Sequence, residues 1–162
     1  MLSPSQKGAI AEAVIAAEAI KAGIEVLRPV AEGGRYDLVF DLGSRFLRVQ
    51  CKSGSRRGDV IAVRTGTCRL TPRGYVRTIY NRTEVDAIAI YCADLDSCYF
   101  MPIEHVRGRA NVYLRLAPAR NNQEFAITYA ADYEFRGAIA QLGERLTGSQ
   151  EVGGSNPPSS TR

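Results

Sequence analysis

The sequence is poor in the residues that make zinc sites. It has a single histidine, His105, with no metal-ligand partner near it in sequence, and four cysteines with no CxxC spacing. Two of those cysteines, Cys51 and Cys92, sit in apolar strand-like runs, where a thiol acts as a small hydrophobe. A structural zinc site is therefore not expected. No apolar run approaches the roughly 20 residues of a membrane-spanning helix. Lys7, Glu12, Glu18 and Lys21 interrupt the first 22 residues, which argues against a signal peptide. A cytoplasmic protein with no membrane partner is the expectation.

Acidic residues are scarce in one long stretch. Positions 45–82 hold ten basic residues and one acid, Asp59. The net charge is only +4, so the positive charge is concentrated here rather than spread. Such a stretch suits a polyanion, nucleic acid first, although a solvated charged face has the same composition. With 45% hydrophobic and 23% charged residues over 162 positions, the chain can bury one core without staples.

Ser5 to Ala22 reads as a helix, capped by Ser3 or Ser5 and ended by Gly23, with Ile10, Ala13, Val14, Ala17 and Ile20 as its apolar face. Ile24–Val30, Arg35–Leu42 and Arg45–Ser53 read as strands. Val60–Leu70, Tyr75–Tyr80, Ala87–Cys92 and Cys98–Ile103 continue the extended pattern. Tyr75 and Tyr80 are expected to pack in the core, with DNA contact as the alternative. The order implies an α/β (α+β) fold, an N-terminal helix followed by a mixed, mostly antiparallel sheet. Residues 1–135 are expected to form the domain and 136–162 a disordered tail rich in Gly, Ser and Pro, although Gly137 to Leu146 could form one short helix. That tail resembles a bacterial tRNA gene read in frame as protein.

The chemistry concentrates on the second and third strands. Gly43-Ser44 suits a two-residue hairpin loop, which pairs Leu42 with Arg45. Counting back along both strands sets Asp37 opposite Gln50, with Cβ atoms about 4.5–5.5 Å apart. Lys52 projects from the same face two residues on. An acid, an amide and a lysine in central strands cost desolvation unless they have partners. Carboxylate and amide oxygens suit a hard cation such as Mg²⁺, and an adjacent ammonium can stabilise a phosphoryl transition state. Glu12, surrounded on its helix by Gly8, Ala9, Ile15, Ala16 and Ala19, is a candidate fourth member; the bland alternative is a solvated helical glutamate.

Gly8-Ala-Ile-Ala-Glu12, Arg35-Tyr-Asp37-Leu-Val-Phe and Val49-Gln50-Cys51-Lys52 together resemble the PD-(D/E)XK nuclease superfamily. The likeness is greatest to the branch containing a group I intron-encoded homing endonuclease, with archaeal Holliday-junction resolvases more distant. Val26-Leu-Arg-Pro29 and Tyr99-Phe-Met-Pro-Ile103 also resemble that branch, and the likeness covers about residues 5 to 106. Two positions depart from the superfamily pattern: Tyr36 stands where a proline is usual, and Gln50 where the second acid is usual, as in the homing branch.

The resemblance implies a restriction-endonuclease-like core and a Mg²⁺-dependent endodeoxyribonuclease. Asp37, Gln50, the Cys51 carbonyl and Glu12 would be the metal ligands. Lys52 would serve the nucleophile or scissile phosphate. The substrate would be double-stranded DNA, tracked by Arg56, Arg57, Arg64, Arg69, Arg73, Arg77 and Arg82, and double-strand cutting would need a homodimer or higher homo-oligomer. A junction resolvase and a non-catalytic DNA-binding module are the alternatives.

Overall fold

The computed structural model describes residues 2–31, 33–72, 74–118 and 127–148, with the backbone alone at 68–71, 77 and 142–148. The first element is α1 (Pro4–Lys21). Ser3 caps it by accepting from the Gln6 N–H, and the Gln6 side chain returns a bond to the Ser3 N–H. These two bonds satisfy donors that a helix start leaves open. Then come β1 (Glu25–Leu27), β2 (Leu38–Asp41), β3 (Phe46–Arg57), β4 (Val60–Arg64), β5 (Gly66–Thr71), β6 (Gly74–Ile79), β7 (Ala87–Cys92) and β8 (Ser97–Pro102). A short α2 (Ile103–Val106), β9 (Asn111–Arg115), a 3₁₀ turn at Ala130–Tyr133 and α3 (Phe135–Gly148) complete the described chain.

Seven strands form one sheet, in which β1, β2, β3, β4 and β9 follow one another and β7, followed by β8, joins β3. All pairings in it are antiparallel except β3 with β7, so the sheet is mixed and mostly antiparallel. Strand β3 is long because it changes partners: β2 pairs with its first residues, β7 with its middle and β4 with its end. Gly54 sits at that exchange. A Cβ there would fall 2.7 Å from Ile61 Cγ2 and 3.2 Å from Ile90 Cγ2.

Alternation along the strands gives the sheet two apolar faces. One carries Leu38, Phe40, Leu47, Val49, Cys51, Ala87, Ala89 and Phe100 beneath α1 and α3. The other carries Ile61, Val63, Ile88, Ile90, Met101, Val112 and Leu114, with Tyr80 packed among them.

The buried face of α1 differs from the one expected. Ala11, Ile15, Ala16 and Ala19 face the sheet, while Ile10 and Ile20 are exposed. Small side chains on the inner face let the helix lie close to the strands, and the turn-to-turn pattern of alanines left both faces open in the sequence.

The extended run expected over Val60–Leu70 is broken at Thr65, which is buried and donates through its hydroxyl to the Arg109 carbonyl. Beyond it β5 and β6 leave the main sheet and form a separate two-stranded ribbon. Tyr75, near its turn, is 74% exposed and does not pack in the core.

The tail expected from 136 is helical over its first part. Phe135 and Ile139, one turn apart, are buried in the α1-side core. Phe135 meets Phe40 and Phe100 edge-on at 6.2 and 6.0 Å. Aromatic edges of this kind add to the burial of the ring itself and bind the start of α3 to the sheet. Residues 149–162 lie outside the described residues.

Candidate active site

The hairpin register is the one the turn implied. Leu38 pairs with Val49 and Asp41 with Phe46, Gly43 takes φ +79° at the head of the turn, and the Leu42 N–H donates to the Arg45 carbonyl at 2.9 Å. Regular pairing stops one residue short of Asp37. There the Asp37 N–H donates to the Val49 carbonyl at 2.9 Å. Its carboxylate then takes the place of a strand partner: Oδ2 accepts the Cys51 N–H at 2.8 Å and the Gln50 Nε2 amide. Asp37 thus sits where β2 and β3 part, with a mouth open beside it.

Burial pushes the Asp37 carboxyl above its usual range, against the opposing pull of the Cys51 N–H, the Lys52 charge and the Gln50 amide. Gln50 is buried, 6% exposed. Its Nε2 also lies 3.4 Å from the Cys51 carbonyl, while its Oε1 is buried with no hydrogen-bond partner. A buried amide oxygen left unpaired costs about 1–3 kcal/mol. That orphan oxygen lies on the amide that touches Asp37, which is the arrangement a bound cation would satisfy.

Burial lowers the Lys52 ammonium below its ordinary value, opposed by the charge of Asp37. Its Nζ donates to the Tyr80 hydroxyl at 3.2 Å and lies 5.1 Å from the centroid of the Tyr80 ring. Glu12 is half-buried on α1 and lines one cleft with Asp37, Tyr36, Gly8 and Arg28. Its charge acts on both Cys51 and Lys52. Helix and hairpin therefore bring Glu12, Asp37, Gln50 and Lys52 to one place.

Among the described residues no three His, Cys, Asp or Glu side chains converge on a point that could hold a metal. The donor set here is of another kind: two carboxylates, the Gln50 amide oxygen and the Cys51 carbonyl. All are oxygens, and they fit a hard divalent cation. The Cys51 side chain packs in the α1-side apolar core, where burial raises its thiol and holds it protonated.

These features match a known family. The PD-(D/E)XK endonuclease sequence pattern matches residues 2–136. The chain belongs to the PD-(D/E)XK endonuclease family. Its fold is similar to that of the bacterial homing endonuclease I-Ssp6803I, with a TM-score of 0.73 and 25% identity, covering 93% of this chain and 99% of that one. It also aligns with Archaeoglobus fulgidus Hjc, a Holliday junction resolvase from an archaeal hyperthermophile, with a TM-score of 0.40 and 16% identity over 67% of this chain and 84% of that one. No curated protein matches the sequence significantly. Enzymes of the PD-(D/E)XK family generally use divalent metal ions.

Arg57 and Arg64 are exposed and line a groove with Ser53, Ser55, Asn111 and Tyr113. The Arg56 Nε donates to the Gly58 carbonyl of its own turn, and its N–H is held by Asp94. Arg82 is exposed on the turn before β7. Arg69 and Arg77 lie on the ribbon strands, and Arg73 lies outside the described residues.

Two parts of the site were not foreseen. Tyr80, read as core packing, is buried but also reaches Lys52. Arg35 stacks over the Tyr80 ring at 4.5 Å and pairs with Glu84 at 2.8 Å. Nothing in the spacing of positions 35, 52, 80 and 84 signals this contact. His105 does have a near neighbour, the Tyr133 hydroxyl 3.0 Å from Nδ1, but one that pairs it by hydrogen bonding.

Proposed function

We propose that this protein is a metal-dependent endonuclease that hydrolyses phosphodiester bonds of double-stranded DNA, of the homing or mobile-element type. The observation that carries this is the Gln50 Oε1, buried and unpaired on the amide that touches the Asp37 carboxylate. A structural sheet gains nothing from such a group, whereas a cation site uses it.

In this reading Asp37, Gln50 Oε1 and the Cys51 carbonyl hold Mg²⁺, with Glu12 reaching it directly or through water. Bound there, the ion supplies an activated water and neutralises charge growing on the phosphate. Lys52 orients that water or the scissile phosphate with its ammonium. The Cys51 N–H, donating to Asp37 Oδ2 at 2.8 Å, orients the carboxylate. The exposed Arg57 and Arg64 track phosphates, and the β5–β6 ribbon offers a two-stranded element of the size the major groove admits. Arg56, Arg69, Arg73, Arg77 and Arg82 extend the positive charge along the same stretch.

The likeness to a bacterial homing endonuclease over nearly the whole of both chains supports the homing type. One active site per chain cuts one strand, so double-strand cleavage calls for a homodimer or higher homo-oligomer, and two-fold symmetry is the common solution. Light scattering at working concentration tests this, and a monomeric mass counts against it.

The deciding experiment incubates wild type, Asp37→Ala and Lys52→Ala with supercoiled plasmid and with branched DNA, in Mg²⁺ or in EDTA. Nicking or linearisation that needs Mg²⁺ and is lost in both variants is the expected result. Cutting of branched DNA alone would favour a junction-resolving enzyme. DNA binding that is indifferent to Mg²⁺ and to Asp37→Ala, with no cleavage, would favour a binding module.

A further inference from the structure

We propose that Tyr80 is a positioning residue that holds the Lys52 ammonium from the base of the β5–β6 ribbon, with Arg35 fixing the tyrosine ring. Tyr80 directly follows β6, and the Arg35 Nη2 donates to the Ile79 carbonyl at 3.4 Å as well as to Glu84 at 2.8 Å. The guanidinium lies 4.5 Å from the ring centroid. Arg35 thus ties together the end of the ribbon, the Tyr80 ring and the turn that carries Glu84.

The other side of the contact is the lysine. A lysine side chain has four rotatable bonds and loses much freedom when held in place. Lys52 is held at its tip by its hydrogen bond to the Tyr80 hydroxyl, which sets the ammonium 5.1 Å from the ring centroid. Burial raises the Tyr80 hydroxyl to about 12, so it stays neutral and is free to accept from the ammonium. A tyrosine that only packed would need neither cation. The inference rests on the reading that Lys52 serves the water or the phosphate. On that reading Tyr80 acts through Lys52 and does not touch the reacting atoms.

The test has two independent readouts on the full chain. Lysine Nζ is labelled with ¹⁵N, and the Lys52 ammonium signal is identified by its loss in Lys52→Arg. In wild type this ammonium is ordered and exchanges slowly with water. In Tyr80→Phe, which keeps the ring, its order falls and its exchange quickens several-fold while the melting temperature holds. Glu84→Gln, which removes the ion pair of Arg35 and leaves Tyr80 and Lys52 in place, shifts the ammonium the same way by less. In parallel, single-turnover cleavage of supercoiled plasmid with Mg²⁺ slows roughly 10–100-fold in Tyr80→Phe, the size expected for a misplaced group, with the Kd for plasmid unchanged. Lys52 order and exchange that are unchanged in both variants overturn the proposal. A loss of melting temperature in Tyr80→Phe with Lys52 still ordered also overturns it and marks the tyrosine as packing. If wild type cuts no DNA and binds it alike with and without Mg²⁺, the proposed function fails, while the ammonium measurement still decides the role of Tyr80.

Discussion

Gln50 donates through Nε2 to Asp37 Oδ2 while its own Oε1 is buried with no partner. The amide is thus a donor toward the carboxylate, with its own acceptor buried and unpaired. Exchanging it for a second carboxylate, Gln50→Glu, removes the donor and sets two like charges together, which raises the pKa of the pair. Without metal the variant should be less stable by roughly 1–3 kcal/mol, the range for disrupting a buried polar pair. With excess Mg²⁺ it should gain more in Tm than wild type does, because ligand that binds only the folded state stabilises it by mass action. Calorimetry in Mg²⁺ and in EDTA checks this, and equal gains for the two proteins would sink it.

Gly54 is the last residue of β3 paired with β7 and the first paired with β4, and the space of its missing side chain is filled by Ile61 and Ile90. A methyl at 2.7 Å from Ile61 Cγ2 forces two β-branched side chains or the strands apart. Gly54→Ala should destabilise by about 1–3 kcal/mol, as overpacking does, read as a lower urea midpoint. Gly8, on α1 with nothing within 4 Å of its Cβ position, provides the contrast. Gly8→Ala should stabilise by up to about 1 kcal/mol, since alanine is the better helix former.

The parts of the fold that were legible in the sequence are those set by local rules. The Gly43-Ser44 turn fixed the register that brings Asp37 to Gln50, and Ser3, one of the two serines expected to cap α1, does so. The face of α1 was not legible, because alanines occur on both sides and only contact with the sheet chooses between them. The ribbon was not legible either, since the break at Thr65 depends on the Arg109 and Ala110 carbonyls some 45 positions on. The contact of Tyr80 with Lys52 and that of Arg48 with Asp86 join β3 to residues well separated from it in the chain, and periodicity carries no record of such pairs.

The second of those contacts gives a pH dependence. Arg48 reaches Asp86 through Nε at 3.1 Å and Nη2 at 3.1 Å, and its N–H donates to the same carboxylate at 2.8 Å. Burial pushes the Asp86 carboxyl up, but the Arg48 bonds outweigh it and hold the pKa below the ordinary value. In the window between the folded and the unfolded pKa the unfolded chain binds more protons, so stability rises with pH there. The contribution is complete above the unfolded pKa, near 3.9 for a free aspartate, and is lost as pH falls through the lower folded one. Both side chains are partly exposed, so solvent screens the pair, and Asp86→Asn should cost only about 1–2 kcal/mol at neutral pH. Denaturant melts from neutral pH into acid should therefore converge for wild type and variant. A gap that stays constant down to the most acid pH would refute the charge-based account.

The groove arginines differ from Arg48 in having solvent where Arg48 has Asp86. Arg57 and Arg64 are exposed beside Ser53, Ser55 and Asn111, so removing either should leave the fold intact and act on DNA alone. A phosphate contact releases condensed counterions, and each one contributes about −0.9 to the slope of log K against log salt for B-form DNA. Arg57→Ala and Arg64→Ala should each flatten that slope by nearly one and weaken binding at low salt on any sequence. Arg56→Ala should do less, because the Nε of that arginine is already engaged by the Gly58 carbonyl. Fluorescence anisotropy with a labelled duplex across a salt series, run beside thermal melts, separates the cases. A full-sized slope in Arg57→Ala and Arg64→Ala would remove the groove from the DNA path, leaving the ribbon to carry the binding.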